Sequence, residues 1–286
     1  MSLNINTNMV SLLAVQGMDN NSKSLSRTFQ RLISGSRINT AGDDPSGMAV
    51  SSRLAARIRG SNMAVRNAQD AVSVAQVADA AMEETSNALQ KIRDIMVTAA
   101  GPGLSSSDRA GLQTEVNGLI QEIQRIATGT KFNGKALLTG SYSGQKVQVG
   151  ANGGDYITMS IGNMSASALG VKSLNGTDLK AIGATVLTVN SAVAAASFNI
   201  DKIDTALSSV SDIRARLGAV QNRLNTIVTG LQSLVAATTE SRSRIVDTDI
   251  ASEVAAMTSM QIKQQVGAAI LAQANQGPTA ILTLLK

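Results

Sequence analysis

Apolar residues recur at steps of three, four and seven along two long stretches of the chain, from about Met48 to Thr98 and from about Phe198 to Glu240. This spacing is typical of helices that pack through one narrow seam. The seam positions are Leu54, Ile58, Val65, Val72, Ala75, Met82, Leu89, Ile92 and Met96, then Ile203, Leu207, Val210, Ile213, Leu217, Val220, Leu224, Ile227, Leu231 and Leu234. We predict two coiled-coil-like helices, the first about 75 Å long at 1.5 Å per residue.

A shorter helix is predicted after the first long one, because Gly101-Pro-Gly103 interrupts the pattern. Ser105 with Asp108 three residues later resembles a capping box at a helix start. Leu112, Val116, Leu119, Ile123 and Ile126 then follow at steps of four and three, and the pattern stops at Thr128-Gly129. The two helices would form an αα-hairpin.

The two ends of the chain have thinner apolar stripes. At the N-terminus we predict a helix from about Asn4 to Ser34, ending near Gly35, and then a connector over Arg37–Gly47. At the C-terminus a charged connector, Arg242–Asp249, precedes a helix from about Ile250 to Asn275. Gln276-Gly-Pro278 and an apolar tail, 281–285, complete the chain.

The middle of the chain alternates apolar and polar residues with a period of two. Lys146–Val149 and Ile157–Ile161 flank the glycine-rich turn Ala151–Asp155, which predicts a β-hairpin. Residues 163–195 are small and polar, and we expect a loop there with one short strand or helix at most.

The order of these elements is mirrored about the middle, so the two long helices can pack by folding back on each other. We therefore predict a mainly α fold. It is a long antiparallel coiled-coil-like helical bundle formed by the N- and C-terminal halves, with a small β-hairpin-containing middle region. The expected domains are a terminal helical pair with its connectors (1–46 and 242–286), a helical bundle with the hairpin (47–162 and 198–241) and a short outer segment (163–197).

Composition excludes much of enzyme chemistry. The 286 residues include no Cys, His or Trp, so a thiol nucleophile, a disulfide, a Ser-His-Asp triad and the common zinc sites are impossible. Aromatic residues make up only 2% of the chain, which suits thin helical bundles better than a thick globule. We expect no enzymatic activity, no catalytic residues, no cofactor and no metal.

The charge of the chain gives little evidence about its partners. The formal net charge is +5, but 25 basic and 20 acidic residues are interleaved. No basic stripe with interleaved aromatic residues is present, so we expect no nucleic-acid partner. No apolar run approaches the roughly 20 residues of a membrane span, and the N-terminus lacks the features of a cleavable signal peptide.

The terminal helices would lie side by side with little core to share, so their apolar stripes need partners. The simplest partners are other copies of the chain, and contacts of this kind build a helical polymer when they do not close. The predicted subunit interface consists of Val10, Leu13, Leu25, Phe29, Leu32, Ile250, Val254, Met257, Ile262, Leu271, Ile281, Leu284 and Leu285.

Several segments of the chain are similar to bacterial flagellin, the subunit of the flagellar filament. The segments are Arg31–Asn39 with Asp43, Asp44 and Gly47, Arg66–Asp70, Gln90–Val97, Thr130–Gly134, Val147–Asn152, Leu217–Leu224, Ser243–Asp249, Leu271–Gln276 and Pro278 with Leu282–Leu285. Together they cover about 1–163 and 198–286. Each segment alone is a weak signal, whereas the set is specific.

The resemblance implies a secreted, extracellular subunit that polymerises into the filament used for swimming. In flagellins the paired terminal helices form the inner tube, and the long helices with the hairpin form the next shell. The family also implies an export apparatus, a secretion chaperone that covers the C-terminal helix, and hook-associated and cap proteins as partners.

The resemblance further implies an innate-immune recognition site on the first long helix. The flagellin-sensing Toll-like receptor of animal hosts binds a Gln-Arg-Val-Arg-Glu-Leu-Ala-Val pattern in the family. The matching residues are Gln90, Lys91, Ile92, Arg93, Asp94, Ile95, Met96 and Val97, with Glu115 on the next helix. Lys91 replaces an arginine, which offers planar contacts that lysine lacks.

Three alternatives stay open at the level of sequence. We expect the connector aspartates to cap helices and to pair with Arg37, Arg242 or Arg244; these aspartates are Asp43, Asp44, Asp247 and Asp249. The alternative is that their carboxylate oxygens bind a divalent cation. The positive charge also fits a flagellin-like surface protein that binds an acidic polysaccharide. A hook–filament junction protein shares the same end architecture.

Overall fold

The computed structural model of the chain describes residues 8–101, 103–174 and 189–284, with the side chains of 173, 189–198 and 277–284 outside the description. The helices are α1 (Met9–Ser34), α2 (Pro45–Ala99), α3 (Ser106–Gly129), α4 (Val189–Val246) and α5 (Ile250–Leu284). The strands are β1 (Lys131–Phe132), β2 (Lys135–Ala136), β3 (Gln145–Gln148) and β4 (Tyr156–Met159), and a 3₁₀ turn covers Val171–Leu174.

The chain forms two compact units. The terminal unit contains the residues up to Ile58 and those from Ala236 onward, and the bundle unit contains Arg59–Val235. The helices α2 and α4 contribute residues to both units. The sequence places the corresponding boundaries at 46/47 and 241/242, nearer to the two connectors.

Alanine, aliphatic and methionine side chains fill the core of the bundle unit. Ala68, Ala75, Ala78 and Met82 are fully buried along α2, and Leu217 and Leu224 are buried on α4. Small residues allow helix axes to approach closely without aromatic bulk. The predicted mainly α bundle is confirmed.

Two ion pairs across the bundle show that α2 and α4 run antiparallel. Arg93 Nε lies 2.7 Å from Asp204 Oδ1, and Arg214 Nε lies 2.8 Å from Asp79 Oδ1. As residue numbers fall along α2 from Arg93 to Asp79, the numbers of their partners on α4 rise from Asp204 to Arg214. This is the fold-back of the two long helices that the mirrored sequence predicts.

The predicted αα-hairpin is present, and its turn is held by specific hydrogen bonds. Ser105 and Asp108 form the full capping box at the start of α3. Arg109 Nε donates to the carbonyl of Ala99 at 3.1 Å, and its Nη2 donates to the carbonyl of Gly101 at 3.0 Å. One guanidinium on α3 thus satisfies carbonyls that the end of α2 leaves without helical partners.

Two small antiparallel hairpins follow α3. The predicted one pairs Gln145 with Met159 and Gln148 with Tyr156, and Ile157 and Met159 face the core. The second pairs β1 with β2 through an Asn133-Gly134 turn, in which both residues have positive φ. The Asn-Gly dipeptide is the strongest short hairpin signal, but strands of two residues are too short for an alternating pattern.

The first part of the expected outer segment belongs to the core of the bundle unit. Met164, Leu169 and Val171 are buried. The Gln113 Nε2 donates to the carbonyl of Leu174 at 2.9 Å, and the backbone N–H of Ala166 donates to Gln124 Oε1. Of the segment 163–197, residues 175–188 lie outside the described residues, and α4 already begins at Val189.

Both connectors are shorter than the sequence analysis predicts. The helix α2 begins at Pro45, because Asp44 caps it and proline is favourable at the first helical position. At the other side, α4 continues through Arg242 to Val246, supported by the Glu240–Arg244 pair one turn apart. Charged residues were wrongly interpreted as a break there.

The last helix is longer than predicted, because α5 runs through Gly277-Pro278 to Leu284 instead of ending near Asn275. Proline removes one helical N–H and so weakens a helix without always ending it. In the terminal unit, Asn8 supplies a side-chain donor in place of the missing N–H.

Candidate functional site

The terminal unit is built around an antiparallel pair of helices, α1 and α5. Asn21 Nδ2 donates to the carbonyl of Met260 at 2.8 Å, and Arg31 Nη1 lies 3.7 Å from Glu253 Oε1. These side chains reach backbone or charge on the partner helix, so they fix the register of the pair. Within it, Thr28 is almost fully buried and directs its hydroxyl to the sulfur of Met260.

Asn8 connects the start of α1 to the proline-containing turn of α5. Its Oδ1 accepts from the backbone N–H of Ser11 and caps α1. Its Nδ2 donates to the carbonyl of Ala274 at 2.8 Å. In an uninterrupted helix that carbonyl would accept from residue 278, but Pro278 has no N–H. Asn8 therefore supplies the missing donor.

A glycine allows the two helices to approach closely at one point. A Cβ added to Gly267 would lie 3.1 Å from Cγ of Met18 and 3.6 Å from its Sδ. Any larger side chain at position 267 would push Met18 away from α5. The pair is thus closely fitted here, although it lacks bulky aromatic residues.

Backbone hydrogen bonds join the connectors that precede α2 and follow α4. Arg37 N donates to the carbonyl of Val246 at 2.6 Å, and Thr248 N donates to the carbonyl of Gly35 at 3.0 Å. Gly35 has a φ of 67°, which a glycine adopts without strain and which ends α1. These bonds therefore hold the end of α1 next to the start of α5.

The connector aspartates act as helix and turn caps. Asp44 accepts from the N–H of Gly47, and Asp249 accepts from the N–H groups of Ala251 and Ser252. A hydrogen bond from the Thr40 backbone lowers the pKa of Asp43, and one from Gly47 lowers the pKa of Asp44. Both carboxyl groups are therefore ionised at neutral pH.

The expected arginine partners of these aspartates are engaged elsewhere. Arg37 Nη2 donates to the carbonyl of Ile245, and Arg244 pairs with Glu240. Among the described residues, no direct salt bridge joins the connector aspartates to Arg37, Arg242 or Arg244, so direct pairing was wrongly predicted, although the charge of Arg37 helps to lower the pKa of Asp44. In the same part of the chain, no cluster of three acidic side chains is placed to hold a metal ion.

The terminal pair exposes many large apolar side chains. Of the predicted interface residues, Val10, Leu13, Phe29, Ile250, Val254 and Ile262 are exposed, and Leu25, Leu32, Met257 and Leu271 are half-buried. The side chains of Ile281 and Leu284, and the whole of Leu285, lie outside the described residues. Soluble monomers rarely leave extended apolar surfaces open, and such surfaces mark interaction sites.

Further exposed apolar residues lie on the same two helices and were not singled out from the sequence. Met9, Leu12 and Val15 extend the apolar surface at the start of α1, and Ile33, 84% exposed, lies at its end. Val266 and Ile270 follow Ile262 at steps of four along α5. Residues spaced i, i+4 and i+8 lie on one face of a helix, so this spacing in the sequence could have identified them.

The residues matched to the receptor pattern divide into buried and accessible groups. Ile92, Ile95 and Met96 are buried in the bundle core. The side chains of Gln90, Lys91, Asp94, Val97 and Glu115 are exposed, and Arg93 is half-buried in its pair with Asp204. A receptor could therefore touch the five exposed side chains and Arg93, but not the three buried ones.

Lys91 lies beside a groove between α2 and α3. The groove has a volume of about 370 Å³ and is lined by Glu84, Asn87, Ala88, Lys91, Leu119, Glu122, Arg125 and Ile126. Arg125 forms a bidentate pair with Glu122 on its wall. Lys91 is thus an accessible cation on a surface that carries both signs of charge.

No helix among the described residues combines the length and hydropathy required to cross a membrane. The exposed apolar residues of α1 and α5 are interspersed with polar ones, which suits contacts with other amphipathic helices.

Comparisons with known proteins cover most of the chain. The bacterial flagellin N-terminal helical region matches residues 5–143, and the bacterial flagellin C-terminal helical region matches residues 200–285. The chain is 36% identical to "Flagellin" of Bacillus subtilis over 99% of this chain and 100% of that protein. It is 37% identical to the "Flagellar filament 33 kDa core protein" of Treponema phagedenis over 99% of both chains.

A solved structure supports the architecture alone. A candidate flagellar hook-associated protein from Vibrio parahaemolyticus matches with a TM-score of 0.60 at 18% identity, over 72% of this chain and 100% of that one. The family matches span both terminal helices, the long helices and the paired connectors. The chain therefore belongs to the bacterial flagellin family.

Proposed function

We propose that this chain is the structural subunit of a flagellar filament and that it polymerises through the exposed faces of α1 and α5. The observation that supports this most directly is the row of exposed apolar residues on a pair of helices that has little core of its own. Contact with other copies would remove this surface from water. Family membership supports the same function.

The filament would transmit torque because each subunit contains a firmly packed helical bundle and contacts its neighbours through the terminal pair. The antiparallel bundle of α2, α3 and α4 is held by ion pairs and a continuous apolar core. The terminal pair is stabilised by fewer internal contacts, mainly single side chains such as Asn21 and Arg31. Its ordering cost is then repaid by docking onto neighbouring subunits.

Seeded polymerisation tests this function. We expect short fragments of preformed polymer to be lengthened by the purified chain, as seen by electron microscopy. Ile33→Asp and Ile262→Asp should each abolish lengthening, because an ionised carboxylate would be buried in the contact. Lys172→Asp, an exposed change in the bundle unit, is the matched control and should polymerise normally.

Normal lengthening by the aspartate variants would contradict the proposal. If both aspartate variants lengthen seeds as fast as the unchanged chain, then the exposed faces of α1 and α5 are not the contact surface. Circular dichroism of each variant establishes that its helices have formed.

We also propose the accessory partners that the family implies: an export apparatus, a secretion chaperone on α5, and hook-associated and cap proteins. The exposed stripe Ile262, Val266 and Ile270 supports a chaperone contact, since it would be covered before assembly. An acidic-polysaccharide protein and a hook–filament junction protein remain alternatives that gain no separate support from the structure.

Recognition by a host flagellin-sensing receptor is proposed for the accessible residues of α2 and α3. If Lys91 takes the place of the family's arginine, then Lys91→Arg should tighten binding, because a guanidinium forms two parallel hydrogen bonds where an ammonium forms a point contact. Titration of the receptor ectodomain with purified monomer measures this effect. Lys172→Arg is the matched control, and no binding at micromolar concentration would remove the proposal.

A further inference from the structure

Met18 is the side chain through which α1 contacts the exposed backbone of α5 at Gly267. With no side chain at Gly267, the side chain of Met18 lies against that backbone, and a Cβ at this place would lie 3.1 Å from its Cγ and 3.6 Å from its Sδ. The contact is close, and the Met18 side chain brings no polar hydrogen-bonding group to it. Any polar atom added to the sulfur would therefore disturb the fit between the helices.

The sulfur of Met18 can be reached by small molecules. Met18 is half-buried and lines a groove of about 370 Å³ between α1 and α5. Gly17 and Gly267 leave this groove open, and Asn21 and Lys263 make its walls polar. A small oxidant dissolved in water can therefore approach the thioether.

The composition of the chain directs oxidation to its thioethers. It contains 11 Met but no Cys and no Trp, so methionine is the most oxidisable side chain that it offers. Met63 is a useful reference, because it is 49% exposed in the bundle unit, next to the guanidinium of Arg66.

We propose that Met18 is a site of reversible oxidation that controls the pairing of α1 with α5 and, resting on the proposed function, polymerisation. The oxidant is of the peroxide class. A lone pair of the Met18 sulfur attacks one oxygen of hydrogen peroxide, an S–O bond forms and the O–O bond breaks. Water leaves with the second oxygen and both protons, so the sulfur loses two electrons and the peroxide gains them.

Side-chain donors line the groove beside Met18, among them the amide of Asn21 and the ammonium of Lys263. Asn21, three residues further along α1 and on the same groove, already donates its Nδ2 to the carbonyl of Met260. If the sulfoxide captures this amide, then the register-fixing bond to α5 is lost. If the sulfoxide binds water or Lys263 instead, then its oxygen must face the groove, and the sulfur turns away from its close contact with Gly267. Both routes weaken the pair. Reduction by a separate dithiol, which is oxidised to a disulfide while the sulfoxide oxygen leaves as water, restores the thioether and the pair.

The test uses the full-length chain, treated with hydrogen peroxide until each exposed methionine is partly converted. Unoxidised seeds are added, polymer and supernatant are separated by sedimentation, and sulfoxides are located by peptide mass mapping. We expect Met18 sulfoxide to be depleted from the polymer by about tenfold, the order that a polar atom in an apolar contact produces. Met63 sulfoxide should partition evenly.

Equal partition of Met18 sulfoxide would overturn the inference, and so would an unreacted Met18 under conditions that convert Met63. In a chain that also carries Met9→Leu, to remove the exposed methionine of the contact surface, Met18→Leu should reduce the loss of polymerisation caused by peroxide, whereas Met63→Leu should not. If Met18→Leu does not polymerise, then the distribution of Met18 sulfoxide between polymer and supernatant in the unchanged chain still tests the inference.

A failure of the proposed function gives a different result. In that case the untreated chain does not lengthen seeds at all. The pairing step is then read from hydrogen exchange of α1 and α5 in the monomer, which should be faster after peroxide treatment. Unchanged exchange with Met18 converted would contradict the inference independently of polymerisation.

Discussion

At the scale of single residues, the terminal unit depends on polar side chains that replace missing backbone partners. Asn8 donates to the carbonyl of Ala274, which Pro278 leaves without a helical donor. Asp44 and Asp249 satisfy the first N–H groups of α2 and α5. Such bonds are not visible as a pattern of hydrophobic residues, so the sequence analysis ended α5 too early.

Asn8 and Pro278 should be coupled. Asn8→Ala removes both the α1 cap and the donor to Ala274, and we expect it to cost about 1–2 kcal/mol of unfolding free energy. Pro278→Ala restores a helical N–H to that carbonyl. The loss caused by Asn8→Ala should therefore be smaller in the Pro278→Ala background.

A double-mutant cycle in urea measures this coupling. Asn20→Ala, on the exposed face of α1, is the control and should show no coupling to position 278. Additive effects of Asn8→Ala and Pro278→Ala would show that the Asn8 amide does not serve the proline-containing turn.

At the scale of elements, the long helices were predictable because their seams are regular. The start of α3 was also predictable, since Ser105 and Asp108 have the spacing of a capping box. The ends of α2, α4 and α5 were not, because they depend on caps, ion pairs and contacts with other elements. Segment 163–174 looked polar and loop-like, yet its few apolar residues reach the core by docking on α3.

The turn between α2 and α3 offers a test at this scale. Arg109→Ala removes two hydrogen bonds to carbonyls at the end of α2, and we expect the unfolding free energy to fall by about 1–2 kcal/mol. Arg125→Ala removes an exposed pair with Glu122 within α3, and its cost should stay below about 0.5 kcal/mol. Urea unfolding followed by circular dichroism compares the two. Equal costs would show that Arg109 does not stabilise the turn.

At the scale of the whole molecule, the two units differ in how their apolar residues are covered. The bundle unit buries Met82, Leu89 and Ile92 completely, whereas the terminal unit leaves Leu13, Ile33 and Ile262 exposed. The mirrored sequence predicted that the ends would lie together. It could not show which faces stay open, because burial depends on the register of α1 against α5, which Asn21 and Gly267 set.

Hydrogen exchange of the monomer and of the seeded polymer shows whether the terminal helices complete their burial against other copies. We expect protection to rise strongly on polymerisation in α1 and α5 and to change little in the buried parts of α2 and α3, because only the terminal pair gains contacts with other copies. Equal protection of α1 and α5 in both states would contradict this expectation.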